Sequence, residues 1–189
     1  HKFEHGPTEV ATLFLSNSYR KLGLGRLLSF SRFLFMANFP SRVKDSVIAE
    51  MRGYLDSNGI CPFWEHVGRH VFKMDFAMAN LIRAENPDFM EQLLPKHPIY
   101  PYLLPRNVQE VIGTTYPSTQ GGVKLLEAEG FSFSGHVDVF DGGPDLEAKT
   151  KSIRCVKDSR QDEVVDSSEK LSEKLFLISN LSLDFRCCL

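Results

Sequence analysis

Residues 20–25 (RKLGLG) fit the pattern R-x-x-G-x-G and lie between a predicted strand and a predicted helix. The strand is residues 10–15 (VATLFL), an apolar run rich in β-forming residues that ends at a polar turn. The helix is residues 26–38, where apolar side chains at helical spacing form one broad face. A buried strand that enters a helix through a turn with two glycines is typical of α/β proteins.

The same six residues have the chemistry of an anion-binding loop. Gly23 and Gly25 allow a positive φ and a close approach of the backbone to a ligand, and the free N–H groups at the start of a helix favour a diphosphate. Arg20 or Arg26 can add a charge-assisted contact. An ordinary glycine-containing turn before a helix explains the pattern equally well, so both interpretations stay open.

Other segments predict a sheet with helices between its strands. Residues 46–51 (SVIAEM) and 131–140 (FSFSGHVDVF) are predicted strands, and the second runs into a D-G-G-P turn. A helix is predicted from residue 118 or 119 to residue 129, where Gly130 ends it. The alternation of strands and helices predicts an α/β sheet rather than a helical bundle.

The middle of the chain has shorter predicted elements. Residues 62–67 (PFWEHV) are a predicted helix ended by Gly68, followed by a predicted strand at residues 71–76 and a second short helix at residues 87–94. Because six prolines fall between residues 87 and 117, we expect little regular structure there.

Charge and composition exclude several classes of partner. Lys and Arg number 22 against 24 Asp and Glu, and no long basic stripe is present, so we expect no nucleic acid partner. The apolar run at residues 33–39 is far shorter than the roughly 18 residues of a membrane span, so we expect no membrane partner. The cysteines lack C-x-x-C spacing, which predicts no metal site and an intracellular, cytoplasmic location. They are Cys61, Cys155, Cys187 and Cys188.

The end of the chain differs from the rest in composition. Ten of the 18 residues from 157 to 174 are charged, which predicts a solvated linker. We therefore expect a domain at residues 1–156 and a charged linker with a divergent tail at residues 157–189. The last apolar piece, residues 175–189, has no predicted partner and no assigned function.

The R-x-x-G-x-G run after a strand resembles the acetyl-coenzyme A loop of the GNAT acyltransferase superfamily, in which it binds the coenzyme diphosphate. Residues 63–68 (FWEHVG) and 125–131 (LLEAEGF) resemble the short helix that ends in glycine before a late strand of that fold. A closer resemblance, to the arginine N-succinyltransferase family, covers residues 8–160. It rests on nine ordered blocks: TEVATLFL, YRKLGLGRLLSFSRFLF, VIAEMRG, PFWEHVG, FKMDFAMA, LLPKHPIY, QEVIG, LLEAEGFSFSGHVDVFDGGPDLE and IRCVKDSR.

This resemblance implies a GNAT-like acyl-CoA N-acyltransferase fold, α/β or α+β, with a mixed sheet flanked by helices. Family members carry a further N-terminal half, so we expect this chain to be a partial domain. The implied reaction transfers succinyl from succinyl-CoA to the α-amine of L-arginine, giving N2-succinylarginine and CoA in arginine catabolism. Succinyl-CoA is then a co-substrate, no tightly bound cofactor is expected, and both homo- and hetero-oligomers stay open.

The resemblance also implies residues of the site. Leu13 matches a coenzyme-binding position of the family, and the backbone of Leu13, Phe14 and Leu15 is expected to contact pantetheine and the oxyanion. The family's proton-donating histidine aligns with Tyr116, the expected catalytic residue. A tyrosine of pKa near 10 would protonate a thiolate of pKa near 8.5 at a cost of about 2 kcal/mol. An acid role is therefore compatible with tyrosine, with reduced or altered catalysis.

The two substrates would need charged partners, because a guanidinium group favours carboxylates and the succinyl carboxylate favours a cation. The candidates are Glu50, Arg52, Ser29 and Arg32. Core packing or an ordinary ion pair explains each of these four more simply. Carboxylates beside the D-G-G-P turn are explained equally well as members of a solvated turn. They are Asp138, Asp141 and Glu147.

Three functions follow from these expectations. The first is an active acyltransferase, and the second is a catalytically impaired paralogue that still binds CoA. The third is a non-catalytic partner subunit whose exposed sheet edge and apolar faces pair with another chain. The sequence leaves all three open.

Overall fold

The computed structural model describes residues 6–20, 23–86, 93–163 and 176–188. Its strands are β1 (Thr8–Glu9), β2 (Ser46–Glu50), β3 (Ser132–Val137), β4 (Pro144–Lys149), β5 (Ile178–Ser179) and β6 (Cys187–Cys188). One sheet has the order β1-β2-β4-β3, and β5 pairs with β6 in an antiparallel hairpin. Strands β1 and β2 are parallel, with Thr8 opposite Val47. The predicted α/β class, a mixed sheet flanked by helices, is confirmed.

The helices connect and flank these strands. They are α1 (Leu24–Asn38), α2 (Arg69–Phe72), α3 (Phe76–Glu85), α4 (Arg106–Gln109), α5 (Gln120–Ala128) and α6 (Arg154–Lys157), with a π-helix (Trp64–Gly68) directly before α2. The predictions of α1, α5, β2 and β3 are confirmed to within a few residues, whereas β4 was not predicted. Among the described residues, no helix is both long and apolar enough to cross a membrane.

One compact unit consists of the described residues within 1–49, 124–132 and 147–189. In its core, Phe33 is fully buried on α1 and its ring lies 5.7 Å from that of Phe131. Glu129, also fully buried, pairs with the Arg154 side chain and accepts a hydrogen bond from Cys155 N (2.7 Å). This buried carboxylate therefore fixes the start of α6, which packs against α1.

The other unit consists of the described residues within 50–123 and 133–146. Its core is centred on Trp64, which is fully buried and stacks on Phe72 (5.4 Å between ring centroids) and Phe140 (5.5 Å). The indole N–H donates to the Met74 carbonyl at 3.2 Å, so the one polar atom of this side chain is satisfied. The core is a stack of aromatic rings in which each ring fixes the orientation of the next.

The predicted strand at residues 10–15 is wrong. Sheet pairing continues only as far as a hydrogen bond from Val10 N to Ile48 O (2.9 Å), and Thr12 then takes a positive φ of 56°. A left-handed conformation at a β-branched residue turns the chain out of the strand direction. Phe14 is consequently 74% exposed, although its apolar neighbourhood in the sequence indicated a buried strand.

The predicted boundaries around residues 62–76 are also wrong. Gly68 does not end the helix: its backbone is α-helical, with φ −59° and ψ −47°, and a side chain there would collide with the Trp64 ring. The helix continues to Phe72, and Lys73 ends it with a positive φ of 57°. The Asp75 side chain then caps α3 by accepting a hydrogen bond from Met78 N. The apolar run VFKMDF is therefore a junction between two helices and not a strand.

Two further predictions concern the middle and the end of the chain. The helix predicted at residues 87–94 falls mainly on residues outside the described ranges. The sequence indicated no partner for the tail, but the structure shows one. Asn38 Nδ2 at the end of α1 donates to Ser179 Oγ (3.0 Å) and Asn180 O (2.9 Å), and Phe185 packs edge-on against Phe35 at 5.4 Å. The hairpin of residues 176–188 therefore packs on α1.

Asp141 is the polar anchor of the second unit described above. Its carboxylate is buried and accepts hydrogen bonds from Gly53 N and Gly143 N, each at 2.9 Å. A solvated turn, one of the two explanations that the sequence left open for Asp141, is therefore not its environment. A methyl group on Gly53 would clash with both the carbonyl and the carboxylate of Asp141. Gly53 is thus required by the close approach of two chain segments.

We expect Gly53→Ala to lower the free energy of unfolding by about 1–3 kcal/mol, because the added methyl group must displace backbone atoms. Urea denaturation of both proteins measures this difference. Gly121→Ala is the matched control: Gly121 lies in α5 with open space around it, so alanine should raise stability by about 0.5–1 kcal/mol. If Gly53→Ala is as stable as the parent protein, the close approach to Asp141 does not require glycine at position 53.

Candidate functional site

The glycine loop ends in a left-handed turn at the start of α1. Gly23 has φ +77°, and its carbonyl accepts hydrogen bonds from Arg26 N (2.9 Å) and Leu27 N (3.1 Å). Gly23 has no side chain with which to cap the helix, and among the described residues no side chain caps the first N–H groups of α1. Arg26 adds a positive charge in the first turn, which the helix dipole disfavours unless an anion binds there. The start of α1 thus has the chemistry of an anion site.

Arg20, Leu15 and Gly25 come together beside this turn. Arg20 Nε donates to the Leu15 carbonyl at 3.1 Å, which ties the segment before the loop to the loop itself. A Cβ on Gly25 would lie 3.8 Å from the Leu15 side chain, an ordinary van der Waals distance. Protein packing therefore does not require glycine at position 25, and the missing side chain leaves space for a ligand.

Leu13 and Phe14 lie on the segment that has left the sheet. Leu13 is 39% exposed and Phe14 is 74% exposed. Past Val10, no backbone pairing joins this segment to β2 among the described residues. These are the backbone atoms for which the sequence predicted contacts with an elongated ligand.

Ser29 and Arg32 form a pair within α1. Ser29 is 1% exposed, and its hydroxyl accepts a hydrogen bond from Arg32 Nη2 at 3.2 Å. The Arg32 guanidinium also lies 5.7 Å from the Phe33 ring, and burial lowers the pKa of Arg32. A structural role within the helix accounts for both side chains.

Arg52 and Tyr116 are held together in the other unit. Tyr116 N donates to the Arg52 carbonyl at 2.9 Å, and an antiparallel bridge joins Gly53 to Thr115. The Arg52 guanidinium lies 5.9 Å from the centroid of the Tyr116 ring. Thr119 donates to the Tyr116 carbonyl through both its backbone N–H (2.9 Å) and its hydroxyl (2.7 Å). Tyr116 therefore has a backbone fixed on both sides and an arginine beside its ring.

Glu50, at the end of β2, lies beside an arginine that the sequence did not single out. Arg83 on α3 places Nη2 3.7 Å from Glu50 Oε2 and Nη1 3.5 Å from Asp138 Oδ2. Its guanidinium also lies 4.5 Å from the centroid of the Phe140 ring. Sequence reasoning missed Arg83 because no motif surrounds it, and its three neighbours are 33 to 57 positions away in the chain.

Burial sets the electrostatics of the carboxylate and thiol groups. It raises the pKa of Asp141, although the N–H groups of Gly53 and Gly143 act in the opposite direction. The folded protein therefore loses stability as the pH rises from the ordinary pKa of an aspartate through the raised pKa of Asp141. Burial, with Glu129 beside it, raises the pKa of Cys155 to about 12, so this thiol is not a nucleophile near neutral pH. Within the described ranges, no cluster of three His, Cys, Asp or Glu side chains could hold a metal ion.

Comparisons with known proteins show the family of the chain. The family model described as "Arginine N-succinyltransferase beta subunit" matches residues 2–155. An arginine N-succinyltransferase of Escherichia coli O1:K1 / APEC is 44% identical over 162 residues, 85% of this chain and 47% of the relative. One from Escherichia fergusonii is 43% identical over 169 residues, 89% of this chain and 49% of the relative. The chain spans about half the length of these curated relatives.

A solved structure gives the same result for the fold. The arginine/ornithine succinyltransferase subunit AI from Pseudomonas aeruginosa matches with a TM-score of 0.75 and 35% identity. The match covers 92% of this chain and 50% of the solved chain. The predicted GNAT-like fold is therefore confirmed.

Proposed function

This chain belongs to the arginine N-succinyltransferase family, and on that premise we propose that the protein transfers a succinyl group from succinyl-CoA to the α-amine of L-arginine. The observation that carries the proposal is the start of α1, where Gly23, Gly25 and Arg26 combine a left-handed turn, space for a ligand and a positive charge. These features suit the diphosphate of an acyl carrier. Both substrates are metabolites of the cell interior, so an intracellular location is part of the proposal.

In the proposed reaction, the neutral α-amine attacks the thioester carbonyl, the new C–N bond forms and the C–S bond breaks. The amine loses a proton and the departing thiolate gains one, so N2-succinylarginine and CoA are the products. The backbone of Leu13, Phe14 and Leu15 would contact pantetheine and the developing oxyanion, since these groups have left the sheet ladder. Arg20 and Arg26 would contact the diphosphate. Succinyl-CoA acts as a co-substrate.

Tyr116 is the proposed acid for the leaving thiolate. Its backbone is held by Arg52 and Thr119, so the phenol is attached to a fixed part of the chain. Arg52 carries a positive charge beside the Tyr116 ring, and this charge is the proposed partner of the succinyl carboxylate. Glu50 is the proposed partner of the acceptor guanidinium. Ser29 and Arg32 are weaker candidates, because they already bind each other inside α1.

The substitution Gly25→Asp should separate ligand binding from folding. An acidic residue in the first turn favours the helix by about 0.3–1 kcal/mol, and the added Cβ has room, so stability should be equal or higher. The same charge repels a diphosphate, and we expect the affinity for succinyl-CoA to fall about tenfold or more. Thermal unfolding and isothermal titration calorimetry measure the two effects.

Gly121→Asp is the matched control for this experiment. Gly121 is the second residue of α5, as Gly25 is of α1, and it also has open space around it. Its substitution should leave the affinity for succinyl-CoA unchanged. If Gly25→Asp binds succinyl-CoA as tightly as the parent protein does, the anion site is not at the start of α1.

The substitution Tyr116→Phe tests the acid role. General acid catalysis contributes about a hundredfold or more, so kcat for thiol release should fall by that factor while the KM for succinyl-CoA stays the same. Tyr102→Phe, which removes a hydroxyl from an exposed tyrosine, should keep the parent rate. An unchanged kcat in Tyr116→Phe rules out Tyr116 as the acid. A parent protein that binds succinyl-CoA but releases no thiol would instead be the impaired paralogue.

We also propose that the protein acts as an oligomer, either of identical or of different chains. The matching family is described as a beta subunit, and the solved relative is called a subunit. An exposed apolar segment supports this proposal, because Ile99, Tyr100, Tyr102 and Leu103 are 46% to 72% exposed. Sedimentation velocity should detect a species of at least twice the monomer mass when the full set of subunits is present. A monomer throughout the micromolar range would contradict this expectation.

A further inference from the structure

The surroundings of Arg83 match what a guanidinium ligand requires. The Arg83 guanidinium lies between the carboxylates of Glu50 and Asp138 and over the face of Phe140. Planar guanidinium groups bind carboxylates with two donors and stack on aromatic rings, whereas ammonium groups do neither as well. The guanidinium of a ligand could therefore occupy the position that the Arg83 guanidinium fills.

The groups around Arg83 are fixed by the fold. Asp138 Oδ1 accepts a hydrogen bond from Phe140 N at 2.7 Å, and Asp138 N donates to Gly143 O at 2.8 Å. The Phe140 ring is 3% exposed and stacks nearly parallel on Trp64, with an interplanar angle of 7°. The position of this carboxylate and this ring thus does not depend on Arg83.

Arg83, by contrast, is held loosely. Its N–O distances of 3.5 and 3.7 Å are longer than the roughly 2.7–2.9 Å of charge-assisted hydrogen bonds. Its side chain is 42% exposed, and exposed ion pairs of this kind contribute little to stability. Moving the Arg83 side chain into solvent would break these two long contacts and the contact with the Phe140 ring, and it would vacate the position between Glu50 and Asp138.

We propose that Arg83 is a specificity-determining residue of the acceptor site, where its guanidinium competes with the guanidinium of the acceptor for Glu50, Asp138 and Phe140. This inference rests on the proposed function in taking arginine as the acceptor. Arg83 weakens the binding of arginine by filling the position that the acceptor side chain needs. Ornithine, which carries an ammonium group, gains less from the removal of Arg83 than arginine does.

The test compares the parent protein with Arg83→Ala. Calorimetry without an acyl donor measures the Kd for L-arginine and for methylguanidinium, and steady-state kinetics measures the KM values. We expect Arg83→Ala to lower the Kd and the KM for arginine about fivefold, as removal of an exposed ion pair permits. The KM for succinyl-CoA should not change, and the KM for ornithine should fall less. Arg106→Ala, which removes an exposed arginine paired with Glu110, should change none of these values.

A second variant tests whether the acceptor binds beside Glu50 once Arg83 is removed. In Arg83→Ala combined with Glu50→Gln, the gain in affinity for arginine and methylguanidinium should disappear. Circular dichroism and thermal unfolding verify that each variant is folded, and Arg83→Lys, which keeps the charge but not the planar group, serves if Arg83→Ala does not fold. In Arg83→Lys we expect the affinity for arginine and methylguanidinium to rise as well, but by less than in Arg83→Ala.

The proposal is overturned if folded Arg83→Ala binds both arginine and methylguanidinium no more tightly than the parent protein does. Weaker binding overturns it as well, because Arg83 would then support the acceptor instead of competing with it. Absence of thiol release by the parent protein rejects succinyl transfer but leaves these binding measurements unaffected. The two proposals therefore fail in different experiments.

Discussion

The buried carboxylate of Asp141 joins two parts of the chain that are 88 positions apart. Each of its oxygens accepts a backbone N–H, from Gly53 and from Gly143, and no apolar side chain could replace these bonds without leaving two buried donors unpaired. Burial makes the charge costly, as the raised pKa of Asp141 indicates. The arrangement is stable only because the glycines let the backbone approach the carboxylate closely.

This anchor determines the geometry on both of its sides. Next to Gly53 lies Arg52, whose carbonyl accepts the backbone hydrogen bond of Tyr116. Before Gly143, the same turn positions Asp138 and Phe140, which surround the Arg83 guanidinium. The proposed acid, Tyr116, and the proposed acceptor position beside Asp138 and Phe140 are therefore both attached to the turn that Asp141 stabilises.

Local patterns predicted some of this structure and missed the rest for a physical reason. Helix α1 was predictable because its apolar spacing and the glycine before its first residue are encoded in one short run of adjacent residues. The exit of the chain from the sheet at Thr12 was not, since its apolar neighbours have the composition of a buried strand. Gly68 has the local pattern of a helix end, yet the Trp64 ring covers it inside a continuing helix. The Arg83 contacts are set by tertiary packing and have no local signal.

If Tyr116 takes the place of the family's proton-donating histidine, as we propose, protons move differently in the proposed reaction. Attack by the amine produces an ammonium on the tetrahedral intermediate, and departure of the thiolate requires a proton. A phenol can give that proton to sulfur and, as a phenolate, is basic enough to remove one from the ammonium. One tyrosine can thus close the proton cycle, provided that the amine arrives neutral. Histidine can accept a proton before the attack, whereas a neutral phenol cannot, so the role of tyrosine is confined to the step at which the thioester breaks.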